Sequence, residues 1–382
     1  MGTGQPIAVS DSDVLVVGNG PSACVSALSL AKAGARVIML GPSRPITAAG
    51  HLGQCLPPVG LTWIRALELE RQFQALHPLR IVAHRSVWGS EELQSREMIA
   101  SAHGPSWILD RAEFDRMMCA AACAAGVIFV RGELISVERT GGGWNYSFRN
   151  EEKFQTAHAS FFLDATGRRS AAARKMGARR MQVDRLICVP MVVRSLVATD
   201  LDETTILEAS ESGWFFSCRI SSYERLVSFY TDSDLLPSSL TERKKKMASL
   251  LEQSAHLSWI LEHHAYTFPE PITVVPAHGS LLNTLAGEGW LATGEAALCH
   301  DPLCGDGLVG AMNLARHAAL ALVASADRDP SAFSDYAERI RERFEQYKLS
   351  LFSYYATESR WRTEAFWTRR SDTDNLTSTV RS

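Results

Sequence analysis

The sequence predicts an α/β (α+β) fold, with a parallel-sheet body, a β-rich insertion and a helical C-terminal segment. Three observations point to it. The apolar run Asp13-Val-Leu-Val-Val17 stops at glycine, and a helical pattern and a second apolar run, Arg36-Val-Ile-Met-Leu40, follow. Residues 186–275 are strand-rich. Two long helical patterns, Gly307 to Ser325 and Ser331 to Thr357, come last.

Taken in order, Pro21 to Gly34 reads as a helix joining the first two strands. A second helix is predicted from Arg111 to Gly126, because Phe114, Met117, Met118 and Ala121 recur at helical spacing and Gly126 suits a stop. Val127 to Val130 reads as a strand. From Glu133 to Leu163 the apolar residues alternate around Thr140-Gly-Gly-Gly-Trp144, as in a hairpin meander ending in Phe161-Phe-Leu163. A helix, Leu240 to Gln253, interrupts the strand-rich region, and Gly289-Trp-Leu-Ala-Thr293 is the last apolar run before the tail. No repeat period and no low-complexity linker is visible.

Composition narrows the function classes. With 382 residues, 46% of them apolar, the chain can bury a sizeable core. A net charge of −3 with scattered basic residues offers no footprint for nucleic acid. The eight cysteines form no C-x-x-C pair and have no matching histidine spacing, so neither a metal site nor a disulfide scaffold is expected, and most are read as inert buried thiols. The N-terminus lacks a basic region followed by an apolar stretch, and no later segment reads as long enough for a membrane span. A cytoplasmic chain with no membrane partner is the resulting expectation.

Gly18-Asn-Gly20-Pro-Ser-Ala23 fits G-x-G-x-x-A between a strand and a helix, where a Rossmann-type unit binds a dinucleotide. Gly18 permits the turn, Gly20 lets a pyrophosphate approach the backbone, and Ala23 lets helix and strand pack closely, with Pro21 and Ser22 opening the helix. The acidic residue expected at the end of the second strand is missing. Gly41 stands there, and Ser43 or Arg44 is the candidate to take over part of its role.

Two further motifs point to the cofactor. Phe161-Phe-Leu-Asp164-Ala165-Thr-Gly167-Arg-Arg-Ser170 resembles the strand and loop that FAD-dependent hydroxylases bring against the flavin. Gly294-Glu295-Ala-Ala-Leu-Cys-His300-Asp301-Pro302-Leu-Cys-Gly305-Asp-Gly307 is similar to the G-D-A-A…D-P…G-x-G segment of the same superfamily. The resemblance implies FAD, with the acid on the ribityl chain and Asp301, Pro302 and Gly305 to Leu308 beside the isoalloxazine. Glu295 replaces the usual aspartate. The expected organisation is an FAD-binding domain in two parts, residues 1–180 and 276–330, an inserted β-sheet substrate domain, 181–275, and a helical segment, 331–382.

Leu109-Asp-Arg-Ala-Glu-Phe-Asp115, Gly213-Trp-Phe-Phe216, Leu226-Val-Ser-Phe-Tyr-Thr-Asp-Ser-Asp-Leu235 and the tail from Tyr354 to Trp367 extend the likeness over nearly the full length. The chain resembles the LodB, GoxB and QhpG group of flavoproteins, related to tryptophan halogenases. That resemblance implies oxygen activation as a flavin hydroperoxide and transfer to an electron-rich ring, an indole above all, of a peptide, protein or natural product. Gln54-Cys-Leu-Pro-Pro58 also resembles the halogenases, but no lysine lies between Lys32 and Lys153, and Trp214-Phe-Phe-Ser-Cys-Arg219 replaces W-x-W-x-I-P. Both departures disfavour halogenation. An FAD oxidase or dehydrogenase and a noncatalytic flavin-binding maturation partner remain as rivals.

Several side chains are candidates for particular roles. His300 is placed to donate to a flavin or substrate oxygen near neutral pH, or to serve structurally, and with Asp301 and Pro302 it forms the expected catalytic set. Arg111 and Gln54 are expected at the cofactor, Arg111 by its likeness to the arginine that contacts the flavin's phosphates. Trp214 and Phe216, two apart on a strand, share a face and are candidates to wall an aromatic pocket. Arg168, Arg169 and Arg174 are candidates to guide NAD(P)H, with a separate reductase as the alternative electron donor. Tyr354, Tyr355, Trp361, Phe366 and Trp367 either pack on the body or receive a partner.

Overall fold

Ser12–Val17 is an apolar run with Val14, Leu15 and Val16 almost wholly enclosed, which suits a strand covered on both faces. In the computed structural model, which describes residues 11–42, 54–151, 153–268 and 273–371, it is a central strand of a parallel sheet. The order across that sheet is Trp290–Ala292, Lys153–Asp164, Ser12–Val17, Val37–Gly41 and Ile128–Arg131. Helix Pro21–Lys32 makes the first crossover. Its end is set by Gly34 at φ +91°, as the end of Arg111–Ala124 is set by Gly126 at φ +96°. The meander is present as Glu133–Thr140, Gly143–Asn150 and Lys153–Asp164, paired antiparallel.

Strand register decides where the loops emerge. Val17 lies opposite Leu40 on one side and Asp164 on the other, and Asp164 lies opposite Ala292. The segments beginning at Gly18, Ala165 and Thr293 therefore leave the same edge of the sheet side by side. Backbone bonds tie them there: Ala165 N–H donates to Val17 O at 2.8 Å and Thr293 N–H donates to Asp164 O at 2.8 Å.

A second sheet, eight-stranded like the first, has the main order Tyr266–Thr267, Leu186–Ser195, Glu224–Asp232, Gly213–Arg219, Thr204–Ser210, Ala83–Val87 and Gln94–Glu97. The last two strands precede residue 181, where the sequence boundaries place the insertion. Gln94–Glu97 is exposed throughout and carries no apolar alternation, so nothing in its composition marks it as a strand. Helices Leu240–Gln253 and Ala255–His263 cover one face over Val189, Phe215 and Phe229. The other face sends Trp214 into the main core.

Helices Gly307–Ala326, Ala332–Ala356 and Ala365–Ser371 are the last elements among the described residues. The first corrects the expectation that no segment is apolar over a membrane-spanning length: an 18-residue stretch of this 20-residue helix reaches a mean hydropathy of 1.4. Here it packs in the protein core, with Met312, Ala315 and Ala318 fully enclosed. The tail aromatics divide: Tyr354 is exposed and Trp361 half-buried, and the rest pack inward. Tyr355, Phe366 and Trp367 are buried, and Trp367 and Tyr354 each lie 5.2 Å from the Trp88 ring.

Candidate active site

Gly18 has φ +132°, and a Cβ there would lie 2.2 Å from Ala165 O, so only glycine lets the two loops approach this closely. Gly20 is different: a Cβ on it would meet nothing within 4 Å. It opens helix Pro21–Lys32, which has Pro21 in its first turn, no side-chain cap and no acidic residue in that turn. Its first N–H groups and its dipole thus face an open space suited to an anion. Ala23 is fully enclosed, as helix–strand packing requires.

A second helix presents the same kind of end. Gly294, at φ +56°, is pressed against Ser22: an added Cβ would lie 1.9 Å from Ser22 Oγ and 3.8 Å from Ala311 Cβ. Four residues further along both helices, Ser26 Oγ donates to Ala315 O at 3.0 Å. Helices Pro21–Lys32 and Gly307–Ala326 therefore run parallel, with their N-termini at one end. The second also lacks a side-chain cap and a first-turn acid. The Asp306 carboxylate before it is engaged by Arg343 and sits 3.6 Å from His300 Nδ1. Pro302, Gly305 and Gly307 are exposed, and a Cβ on either glycine would meet nothing within 4 Å. Leu308 is buried behind them. Two aligned positive helix ends flanked by bare glycines fit an elongated anionic dinucleotide whose ring system gains negative charge on reduction.

The polar residues around this end hold the loops. Asp164 is fully enclosed: its Oδ1 accepts from Thr166 N–H at 2.8 Å and Thr166 Oγ1–H at 2.7 Å, and its Oδ2 accepts from Ala173 N–H at 2.6 Å. Burial pushes this carboxyl up against those bonds. Its side chain shapes the loop through Ala165 and Gly167, the latter at φ +68°, rather than reaching outward. Asp110 caps Arg111–Ala124 by accepting from Ala112 and Glu113 N–H, and this brings Arg111 between Asp115, 3.1 Å away, and Gln54, to which it donates. Register delivers Gln54, because Gln54–Leu56 pairs with Ser106–Leu109. Glu295 is half-buried and 3.8 Å from Arg168, which also donates to His278 O at 2.6 Å. Arg169 and Arg174 are exposed.

The missing acid at Gly41 has a steric reason. A Cβ there would meet Asn19 Cβ at 2.7 Å and Phe129 Cε2 at 3.0 Å. The candidate substitutes Ser43 and Arg44 lie outside the described residues.

Burial corrects two expectations, Trp214 as a pocket wall and Asp301 as a member of an open catalytic set, and settles the charge of His300. Trp214, expected to wall a substrate pocket, is 1% exposed, stacks on Tyr230 at 3.9 Å and donates its indole N–H to Tyr355 Oη at 3.0 Å. Phe216 does share its face and is only half-buried. His300 is held neutral at physiological pH, since burial pushes its imidazole down to about 4. Asp301 is 1% exposed, with Oδ1 accepting from Leu303 N–H at 2.8 Å and Oδ2 from Tyr355 Oη–H at 2.9 Å. Burial and the nearby Asp184 raise its carboxyl to about 7. Of the expected catalytic set, Pro302 alone is exposed. The thiols also divide: burial pushes Cys188 up to about 12, whereas hydrogen bonding from Cys24 holds Cys119 down to about 7.

Tyr347, which accepts from Asp301 N–H at 2.8 Å, and Tyr355 were not visible as site residues, because their link to the loop exists only through helix packing. A cavity of about 340 Å³ lies elsewhere, between Ile206 and helix Ala255–His263, and adjoins none of these loops.

Fold and site together define a Rossmann-type flavoprotein. The chain belongs to the FAD binding domain family, whose model matches residues 11–348, and it is an FAD-dependent oxidoreductase. It is 25% identical over 362 residues to LodB of Marinomonas mediterranea, named as an FAD-dependent oxidoreductase, covering 94% of this chain and 96% of that one. The myxobacterial chondrochloren halogenase CndH shares the fold, with a TM-score of 0.81 at 20% identity over 95% of this chain and 86% of its own. So does the peptidyl tryptophan dihydroxylase QhpG, with a TM-score of 0.77 at 20% identity over 95% and 79%.

Proposed function

We propose that this protein is an FAD-dependent monooxygenase that hydroxylates an aromatic group, an indole first of all, on a peptide, protein or natural product. The observation that favours hydroxylation over halogenation is the absence of any lysine between Lys32 and Lys153 in a chain whose fold a halogenase shares. The full-length similarity to LodB and the fold shared with a peptidyl tryptophan dihydroxylase support the same reading.

Bound and reduced, FAD supplies the two electrons that split dioxygen between product and water. The protein's part is electrostatic and steric. The helix ends at Gly20 and Gly307 favour the negative charge of the cofactor. Reducing equivalents come from NAD(P)H or a separate flavin reductase. The test mixes reduced, FAD-loaded protein with isotopically labelled dioxygen and a tryptophan-containing peptide. One labelled oxygen atom in the peptide is expected; peroxide equal to the flavin reoxidised, with an unlabelled peptide, overturns the proposal.

A further inference from the structure

Helix Ala332–Ala356 touches Asp301 twice. Tyr347 Oη accepts from the Asp301 backbone N–H at 2.8 Å, and Tyr355 Oη–H donates to Asp301 Oδ2 at 2.9 Å. The two tyrosines are eight residues apart, a little over two helical turns, so they share a helix face. Gly279 makes room for the first, since a Cβ there would lie 2.2 Å from Tyr347 Oη.

The direction of the second contact follows from chemistry. An indole N–H can only donate, so the Trp214 bond to Tyr355 occupies the phenol as an acceptor and turns its one proton toward Asp301. Leu303 N–H, also a pure donor, takes the other carboxylate oxygen. Both oxygens therefore face protons, an arrangement made for the ionised acid in a place where burial opposes ionisation. The other groups facing Asp301 are Asp184, Arg370, Tyr230, Tyr347 and Cys304. Arg370 is the cation among them, 5.2 Å over the Tyr355 ring and already paired with Asp184 and Asp232.

We propose that Tyr355 and Tyr347 are positioning residues that clamp Asp301, and with it the exposed Pro302–Gly307 turn, against the flavin, with Trp214 as the donor that orients Tyr355. The proposal rests on the FAD site described above and not on the identity of the substrate.

The experiment uses FAD-loaded protein and reads two quantities that need no turnover: the FAD dissociation constant, and the pH midpoint of the infrared carboxylic-acid band that Asp301→Asn abolishes. Tyr355→Phe removes the donor, so the midpoint is expected to move up by about one pH unit. FAD affinity is expected to fall roughly tenfold. Trp214→Phe removes the donor that orients Tyr355 but leaves the phenol proton in place, so its midpoint is expected to rise clearly less than that of Tyr355→Phe. An unmoved midpoint in Tyr355→Phe, an equal shift in both variants, or unchanged FAD affinity in Tyr355→Phe and Tyr347→Phe overturns the clamp. Hydroxylation of the wrong substrate class would overturn the functional proposal and leave these readouts untouched.

Discussion

The two parallel helix ends at Gly20 and Gly307 are built in opposite ways. At Gly18–Ala23 the backbone does nearly everything: a glycine at φ +132°, an open position at Gly20 and an enclosed Ala23 suffice, and their neighbours are a few residues or one strand away. At Gly294–Leu308, Gly305 and Gly307 are as bare as Gly20, but the loop that carries them is held from outside by Tyr347, Tyr355 and, one layer further, Arg370. A local motif can be cut into a chain by a few residues, whereas the second end needs the last two helices in place.

The largest effect should come from the outer layer. Arg370 is 3% exposed and bonds Asp232 at 2.7 Å and Asp184 at 2.9 Å, so Arg370→Met leaves buried carboxylates short of a partner and should cost about 3–5 kcal/mol. Denaturant unfolding reads the loss, and FAD release in the surviving fold would show that the tail supports the site. Next, Gly18→Ala forces a methyl into Ala165 O at a left-handed φ and should cost about 3 kcal/mol. A variant as stable as the parent protein would mean that the two loops need not meet as closely as the structure shows.

The pH dependence sharpens the contrast within the second loop. His300 titrates about 4 in the folded protein against 6.5 ordinarily, so folding becomes costlier as pH falls from 6.5 to 4. Asp301 titrates about 7 against 3.8, so folding becomes costlier as pH rises from 3.8 to 7. Between pH 4 and 6.5 the two slopes oppose each other. Asp301→Asn removes one of them, and the variant should lose on the order of 2–3 kcal/mol more than the parent protein on acidification across that window. Parallel stability profiles would dismiss the opposition.

Smallest in stability is Gly20→Ala. Its Cβ meets open space, so the fold should lose no more than about 1 kcal/mol. FAD affinity should nonetheless drop roughly tenfold or more, because the methyl occupies the approach to the first helix turn. Isothermal titration beside a melting curve separates the two effects, and parallel losses would deny Gly20 its place in the cradle.

The sequence by itself determined the central strands, the crossover helix, the meander and the long C-terminal helices. Apolar periodicity and glycine stops are local signals, and Gly34 and Gly126 end their helices at φ +91° and +96°. The family resemblance added that three separate segments serve one cofactor, and strand register then set them side by side. Only the tertiary structure decided what the side chains do there. Asp164 and Asp301 look like outward-facing acids in a motif, yet enclosure turns both inward onto backbone amides. Trp214 looks like a pocket wall and becomes a buried donor to a tyrosine 141 residues away. The physical reason is that periodicity records which face of an element is apolar, while burial, and with it the charge state of His300 and Asp301, depends on what the rest of the chain packs against that face.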